Sequence, residues 1–157
     1  MPKRLLDNKD YELLGLLQQD GRMANTELAE RVALSPSPCL RRVQRLEREG
    51  TIRGYRAEID RNDVGLGLTI FVGIKVQGHS RKKAEKLSAA LSEIDEVISC
   101  YMVSGESDFL AEVVVRDLVA YEQLLTNKLL ALPMIADIKS NFALRTIKEN
   151  KPLPIKK

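Results

Sequence analysis

The sequence lacks tryptophan, and its aromatic residues make up only 4% of 157 residues. Sites that stack sugars or single-stranded bases are built on aromatic side chains, so a function dominated by stacking is not expected. The core must instead consist of leucine, isoleucine, valine and alanine. The 44% hydrophobic content is enough for one ordinary domain or two small ones.

Cysteine and histidine are also scarce. Cys39 and Cys100 are too few for a disulfide framework and lack the clustered spacing of a zinc site, so both are expected to be packing residues, no metal is expected, and a reducing cytosol is favoured. His79, the single histidine, is expected to lie exposed in a strand-to-helix turn. No Ser/His/Asp or Cys/His constellation and no GxxxxGKS/T loop is apparent, so no catalytic residue is assigned and an enzyme is not predicted.

Long apolar runs are missing too. No stretch approaches 18 consecutive apolar residues, and the segment MPKRLLDNKDYE has no apolar run of the length that a signal peptide requires. Membrane spanning and secretion are therefore disfavoured, and a cytoplasmic location is expected.

The charge is distributed unevenly, although the net charge is only +3. Residues 35–56 contain six arginines and two glutamates, whereas residues 61–135 contain eight basic and ten acidic residues. Charge alone leaves two interpretations of the basic segment open. It is either a solvated helix face, with Arg41 or Arg42 paired to nearby acids such as Glu47, or a surface that contacts DNA.

Three short helices are predicted in the first third of the chain, each after a residue that can cap its N-terminus. These N-caps are Asp7, Asn25 and Ser35. Asp10 lies three residues after the first of them, and Gly50 ends the third helix. The third helix has apolar residues on one face and arginines on the other. Two short helices joined by a tight turn, the second with a basic exposed face, are typical of a helix-turn-helix.

The hydrophobic period changes from helical to alternating after Gly67. The predicted order is then strand, helix, strand, strand, helix and strand, with the last strand over residues 135–147. This is the ferredoxin-like βαββαβ arrangement, an antiparallel sheet with both helices on one face. The fold class is therefore α+β, with a helix-turn-helix domain and a connector strand in residues 1–60 and the ferredoxin-like domain in residues 61–157.

The second face of this sheet has no helix to cover it. Half-apolar residues such as Thr69, Phe71, Tyr101 and Met102 line one sheet face or the other. Burial of the free face against a second subunit is the natural solution, so at least a homodimer is expected.

At this point the sequence resembles the Lrp/AsnC, or feast/famine, family of transcriptional regulators. The likeness to their DNA-binding half lies in LLDNKDYELLGLLQQDGRMANTELAERVALSPSPCLRRVQRLEREGTIRGY, and it continues through VGLGLTIFVGIKV, VSGESDFL, LLALPMIADIKSNFALRTIK and PLPI. The SPSPCLRR stretch is similar to the leucine-responsive branch. The resemblance implies a winged-helix-like DNA-binding domain tethered to an effector-binding and oligomerisation domain, in dimers that assemble further into an octamer.

The resemblance also implies site residues. The candidate DNA contacts are Ser35, Ser37, Arg41, Arg42 and Arg45. The alternative for the two serines is a capping role alone, which is favoured for Ser35. The candidate contacts of a free amino acid between subunits are Gly105, Asp108, Ile138 and Ser140, with Asp108 facing the α-ammonium group. The alternative for Asp108 is a turn residue that accepts hydrogen bonds from the local backbone.

The predicted function is an amino-acid-responsive, sequence-specific DNA-binding transcriptional regulator. Its partners are double-stranded DNA and a free amino acid, with no membrane and no cofactor. Met102, Ile138 and Phe142 favour a small hydrophobic effector such as leucine or methionine, while cysteine, lysine and arginine stay open. One alternative is a chromosome-organising protein that wraps DNA with little sequence preference. Another is an enzyme, or a module regulating one, that uses the ferredoxin-like domain.

Overall fold

The computed structural model describes residues 5–78 and 80–155, so the prediction for His79 lies outside the described residues. The helices and strands are α1 (Asn8–Gln19), α2 (Asn25–Arg31), α3 (Pro36–Arg48), β1 (Leu68–Val76), α4 (Arg81–Ser92), β2 (Val97–Met102), β3 (Phe109–Val115), α5 (Leu118–Leu124) with a π-helical turn (Leu125–Leu129), and β4 (Ile135–Phe142). Among these helices none is long and apolar enough to cross a membrane.

The chain forms two compact units. The first contains residues 5–58 together with residues 148–155, and the second contains residues 59–147. The C-terminal segment, which the sequence assigned to the second domain, is bound to α1 by the side chain of Gln18. This amide accepts a hydrogen bond from the backbone N–H of Leu153 at 2.7 Å and donates one to its carbonyl at 3.4 Å.

The first unit is built from three short helices with defined starts. Asp7 caps α1 in a capping box, in which its carboxylate accepts from the Asp10 N–H and the Asp10 carboxylate accepts from the Asp7 N–H, both at 3.0 Å. Ser35 occupies the N-cap position of α3 but makes no side-chain capping bond. The buried hydrophobic residues of this unit are Leu13, Leu28, Ala29, Val32 and Cys39, which pack together, and Leu46.

The predicted N-cap of α2 is wrong. Ala24 is the N-cap, and Asn25 is the first helical residue. The Asn25 side chain instead donates a 2.9 Å hydrogen bond from Nδ2 to the carbonyl of Pro36. It therefore connects the start of α2 to the start of α3 rather than closing its own helix.

The second unit is a four-stranded antiparallel sheet in the order β2-β3-β1-β4. β1 pairs with β3 on one side and with β4 on the other, so that its residue Val72 lies between Ala111 of β3 and Ser140 of β4. The sheet packs against α4, α5 and the π-helical turn. The buried residues of this core are Ile70, Val72, Ile74, Val76, Leu87, Leu91, Phe109, Ala111, Val113, Val115, Tyr121, Leu124 and Leu129. The predicted ferredoxin-like arrangement is confirmed.

Three further predictions, for the last strand, for the connector strand of the first domain and for Cys100, differ from the structure. The last strand, predicted over residues 135–147, ends at Phe142. Beyond it, the Ala143 N–H makes one further hydrogen bond to the Thr69 carbonyl of β1. Residues 51–60 form no helix or strand, since no described strand pairs with them. Cys100 is exposed instead of packed in the core, because it lies on β2 at the edge of the sheet.

The sheet face opposite the helices exposes large side chains. Phe71, Tyr101 and Leu110 are among the exposed hydrophobic residues, and the antiparallel register places Tyr101 directly opposite Leu110. Arg61 donates hydrogen bonds of 3.0 Å to the Thr69 hydroxyl and the Glu112 carboxylate at the same face. This face therefore carries an apolar patch next to the hydrogen-bonded polar side chains of Arg61, Thr69 and Glu112.

Candidate functional site

One side of α3 is a continuous exposed stripe. Its members recur every three or four residues, which places them on one face of a helix; they are Ser37, Arg41, Gln44 and Arg48. Within the stripe, the Arg41 guanidinium donates a 2.9 Å hydrogen bond from Nη1 to the Ser37 hydroxyl. Arg41 is exposed, so its remaining guanidinium donors are accessible to a partner in solution.

The side chains of this stripe suit contacts with duplex DNA. Arginine can bind the O6 and N7 edge of guanine with two hydrogen bonds, and glutamine can bind adenine in the same way. Arg48 adds a cation that can neutralise a phosphate. Gln44 was not among the predicted contacts, although its spacing of three residues from Arg41 places it on the same face.

Two other arginines of α3 lie on the side of the helix that faces α1. Arg42 Nη1 is 2.7 Å from Asp7 Oδ2 and 2.9 Å from Asp10 Oδ1. Arg45 Nη2 is 2.6 Å from the same Asp10 oxygen. The Asp10 side chain is fully buried, and the side chains of Arg45 and Arg42 are 13% and 29% exposed. We call these four residues the α1–α3 ionic cluster.

The cluster holds both carboxylates in their charged form. The hydrogen bond from Arg42 lowers the pKa of Asp7 below its usual value. Burial alone would raise the pKa of Asp10, but the adjacent Arg45 guanidinium and the hydrogen bonds from the Asp7 N–H and Arg42 outweigh it and lower that pKa as well. Asp7 in turn raises the pKa of Arg42. Removal of one member of a buried ion pair strongly destabilises the folded protein, because the other charge is left buried without a partner.

The structure thus divides the five predicted DNA contacts. Ser35, Ser37 and Arg41 are exposed on the first turns of α3, whereas Arg42 and Arg45 bind carboxylates of α1. Periodicity could not separate the two groups, because it does not show which neighbouring helix supplies a counter-charge. Contact of all five residues with DNA stays a prediction.

The segment after α3 is attached to the helical bundle through Tyr55. Its hydroxyl donates a 2.9 Å hydrogen bond to Glu47, and burial together with this carboxylate raises the pKa of Tyr55 to about 12. Its ring lies so close to Gly21 that a β-carbon there would be 2.9 Å from ring carbon Cδ1. The glycine between α1 and α2 is therefore favoured by the close approach of the Tyr55 ring.

In the second unit, a solvent-open cavity of about 410 Å³ surrounds Asp108. It is lined by the end of β1, the start of α4 and the residues flanking the β2–β3 turn: Lys75, Val76, Gly78, Ser80, Arg81, Ala84, Met102, Val103, Asp108 and Phe109. Asp108 Oδ2 accepts a 2.8 Å hydrogen bond from the Val76 N–H. Its other oxygen lies 3.7 Å from Lys75 Nζ, at the outer limit of an ion pair.

Of the four predicted effector contacts, Asp108 lines this cavity, whereas Gly105, Ile138 and Ser140 do not. Gly105, with φ of 115°, lies in the β2–β3 turn near Asp108. Ser140 instead shares a 2.5 Å hydrogen bond with the Tyr121 hydroxyl, and Ile138 packs against the core beneath α4 and α5. Their contact with an effector stays a prediction. Lys75 and Arg81 were missed because they are distant in sequence from the turn. In the described part of the chain, no group of three histidine, cysteine or acidic residues could hold a metal ion.

Comparison with protein families identifies both units. A winged helix-turn-helix DNA-binding domain profile matches residues 6–53, and the Lrp/AsnC ligand binding domain profile matches residues 69–153. The chain belongs to the Lrp/AsnC family. The family resemblance seen in the sequence is thereby confirmed, and the protein is a DNA-binding transcriptional regulator with a separate ligand-binding domain.

Individual Lrp/AsnC proteins align over nearly the whole chain. The leucine-responsive regulatory proteins of Salmonella typhimurium and Escherichia coli K12 are each 39% identical over 155 residues, which is 99% of this chain and 94% of theirs. A transcriptional regulator from Neisseria meningitidis, solved as a complex with L-methionine, superposes with a TM-score of 0.90 at 38% identity, covering 96% of this chain and 97% of that one.

Proposed function

We propose that the exposed stripe of α3 contacts the operator and that the cavity around Asp108 binds the effector. The observation that carries the first part is the separation of the α3 arginines. Arg41 and Arg48 are exposed beside Gln44, while Arg42 and Arg45 bind α1. In this proposal Arg41 and Gln44 contact base edges in the major groove, and Ser35, Ser37 and Arg48 contact phosphates.

A homodimer supplies two such helices. The apolar patch of Phe71, Tyr101 and Leu110 is the surface that we propose to be buried between two copies. A dimer places its two α3 helices in successive major grooves about 34 Å apart, which favours a pseudo-palindromic operator. Further assembly of dimers into an octamer is proposed from the family resemblance. Light scattering after size-exclusion chromatography measures both steps.

The effector proposed for the Asp108 cavity is a free amino acid. Asp108 is positioned by the Val76 N–H and paired only loosely with Lys75. A zwitterion can replace this pair, with its ammonium group on Asp108 and its carboxylate on Lys75. Met102, Val103 and Phe109 offer apolar surface for the rest of the ligand. A hydrophobic side chain such as that of leucine or methionine fits this lining. We propose no catalytic activity and no cofactor.

A thermal-shift panel of the twenty amino acids identifies the effector, because a ligand at 100 times its Kd stabilises the folded protein by about 2.7 kcal/mol. Asp108→Asn should then weaken binding about 10- to 150-fold by calorimetry, the effect of losing a charge-assisted hydrogen bond. Glu106→Gln is the matched control. Glu106 lies in the same turn but pairs with Lys139 at 2.6 Å and does not line the cavity. Equal affinities of wild type and Asp108→Asn would make Asp108 a turn residue only.

A further inference from the structure

The α1–α3 ionic cluster places two aspartates against two arginines that adjoin the exposed stripe. Relative to the stripe, Arg45 and Arg42 lie on the next flank of α3, between the stripe and the buried side of Leu46. Each long side chain turns toward α1 and ends on a carboxylate. Two of the four arginines within α3 are therefore neutralised inside the protein.

From this arrangement we infer that Asp7 and Asp10 are positioning residues that determine how strongly the protein distinguishes its operator from other DNA. The inference rests on the proposed function of α3. An arginine without an internal counter-charge would bind any phosphate within its reach, and such contacts strengthen binding to all sequences alike. By retaining Arg42 and Arg45, the aspartates limit this sequence-independent attraction.

The same contacts fix the helix that carries the stripe. Asp10 is tied to α1 by the capping box and to α3 by both arginines, which are three residues apart on one side of that helix. Its carboxylate is fully buried, so the geometry of the contact is fixed by packing on every side. Base contacts depend on placement more strictly than phosphate contacts do. Loss of the cluster should therefore weaken operator binding relative to binding of random DNA.

Asp10→Asn and Asp7→Asn test this inference in the full-length protein. Asparagine keeps the shape of aspartate and is an equally good N-cap, so Asp7→Asn removes one charge next to Arg42 with the cap retained. Glu12→Gln is the matched control. It also removes one negative charge from α1, but Glu12 pairs only with Lys9 at the exposed surface.

The measurement is fluorescence anisotropy with a selected operator and a random-sequence duplex, at several KCl concentrations between about 50 and 200 mM. For Asp10→Asn, the slope of log K against log salt on the random duplex should become more negative by about 1 for each released arginine. The ratio of operator to random affinity should fall by about tenfold, as when one bidentate base contact is lost. Asp7→Asn should show the same changes at smaller size, and Glu12→Gln should match wild type.

A cluster that merely supports folding gives a different result. Partial unfolding weakens binding to both duplexes and leaves the salt slope unchanged or shallower, and this outcome in either asparagine variant would overturn the inference. Replacing Arg42 and Arg45 by glutamine in the Asp10→Asn background should return the slope to the wild-type value. If Asp10→Asn does not fold, as judged by circular dichroism, Asp7→Asn decides. Failure of the proposed function would be seen separately. If the single variant Arg41→Ala, with the ionic cluster intact, bound the operator as tightly as wild type, the proposed function itself would be contradicted.

Discussion

Among the described residues, the second unit contains fourteen buried hydrophobic side chains, whereas the first contains six and adds a fully buried aspartate between two arginines. Apolar burial is non-directional, and it stabilises a shape without fixing each side chain. A buried ion pair is directional and strongly penalises misplacement. The stability of the ligand-binding unit therefore depends mainly on apolar packing, while that of the DNA-binding unit also depends on charges that hold α3 in place.

The largest effect is expected from a cavity in the second unit. Leu87 of α4 is fully buried against the sheet, so Leu87→Ala should lower the free energy of unfolding by roughly 2–5 kcal/mol. Because the chain lacks tryptophan, urea unfolding is best followed by circular dichroism, and hydrogen exchange of peptides from each unit locates the loss. Unchanged exchange in the β1 and β3 peptides would contradict the packing described.

The sequence predicts most of this second unit because its pattern is local. Alternation from Leu68 to Val76 identifies β1, and the element order then restricts the topology. The α1 capping box is also visible, since Asp7 and Asp10 stand three residues apart. The ionic cluster is not, because the pairing of Asp10 with Arg42 and Arg45 depends on how two helices pack together. Likewise, the cavity at Asp108 joins residues of β1, α4, β2 and β3 and of two turns between them, spread over residues 75–109.

In the first unit, removal of a charge should rival the removal of apolar atoms. Asp10→Ala leaves Arg42 and Arg45 without their shared buried carboxylate and should cost about 3 kcal/mol. Glu12→Ala breaks an exposed pair with Lys9 on the same helix and should cost less than about 1 kcal/mol. Urea unfolding of both variants makes the comparison. Equal costs would show that the buried cluster contributes no more than a surface pair.

A smaller effect is expected from acid. Since the pKa values of Asp7 and Asp10 are lowered in the folded protein, their stabilising contribution is complete above the ordinary aspartate pKa of about 4 and is lost as the pH falls through the lowered values. The α1 and α3 peptides should therefore lose exchange protection below about pH 4. In Asp10→Asn this acid dependence should be weaker. A variant that keeps the full wild-type dependence would exclude the cluster as its source.

The most direct test of the central claim compares two adjacent arginines of one helix, Arg41 and Arg42, for operator affinity and for unfolding free energy. The operator is a duplex selected by the wild-type protein from a random pool. Arg41→Ala should weaken operator binding by roughly 1–3 kcal/mol, the value of a bidentate base contact, with unfolding unchanged. Arg42→Ala should lower the unfolding free energy, because Asp7 and Asp10 lose a shared cation. Wild-type operator affinity in Arg41→Ala, or wild-type stability in Arg42→Ala, would contradict the division of α3 into a DNA-contacting stripe and an α1-bound flank.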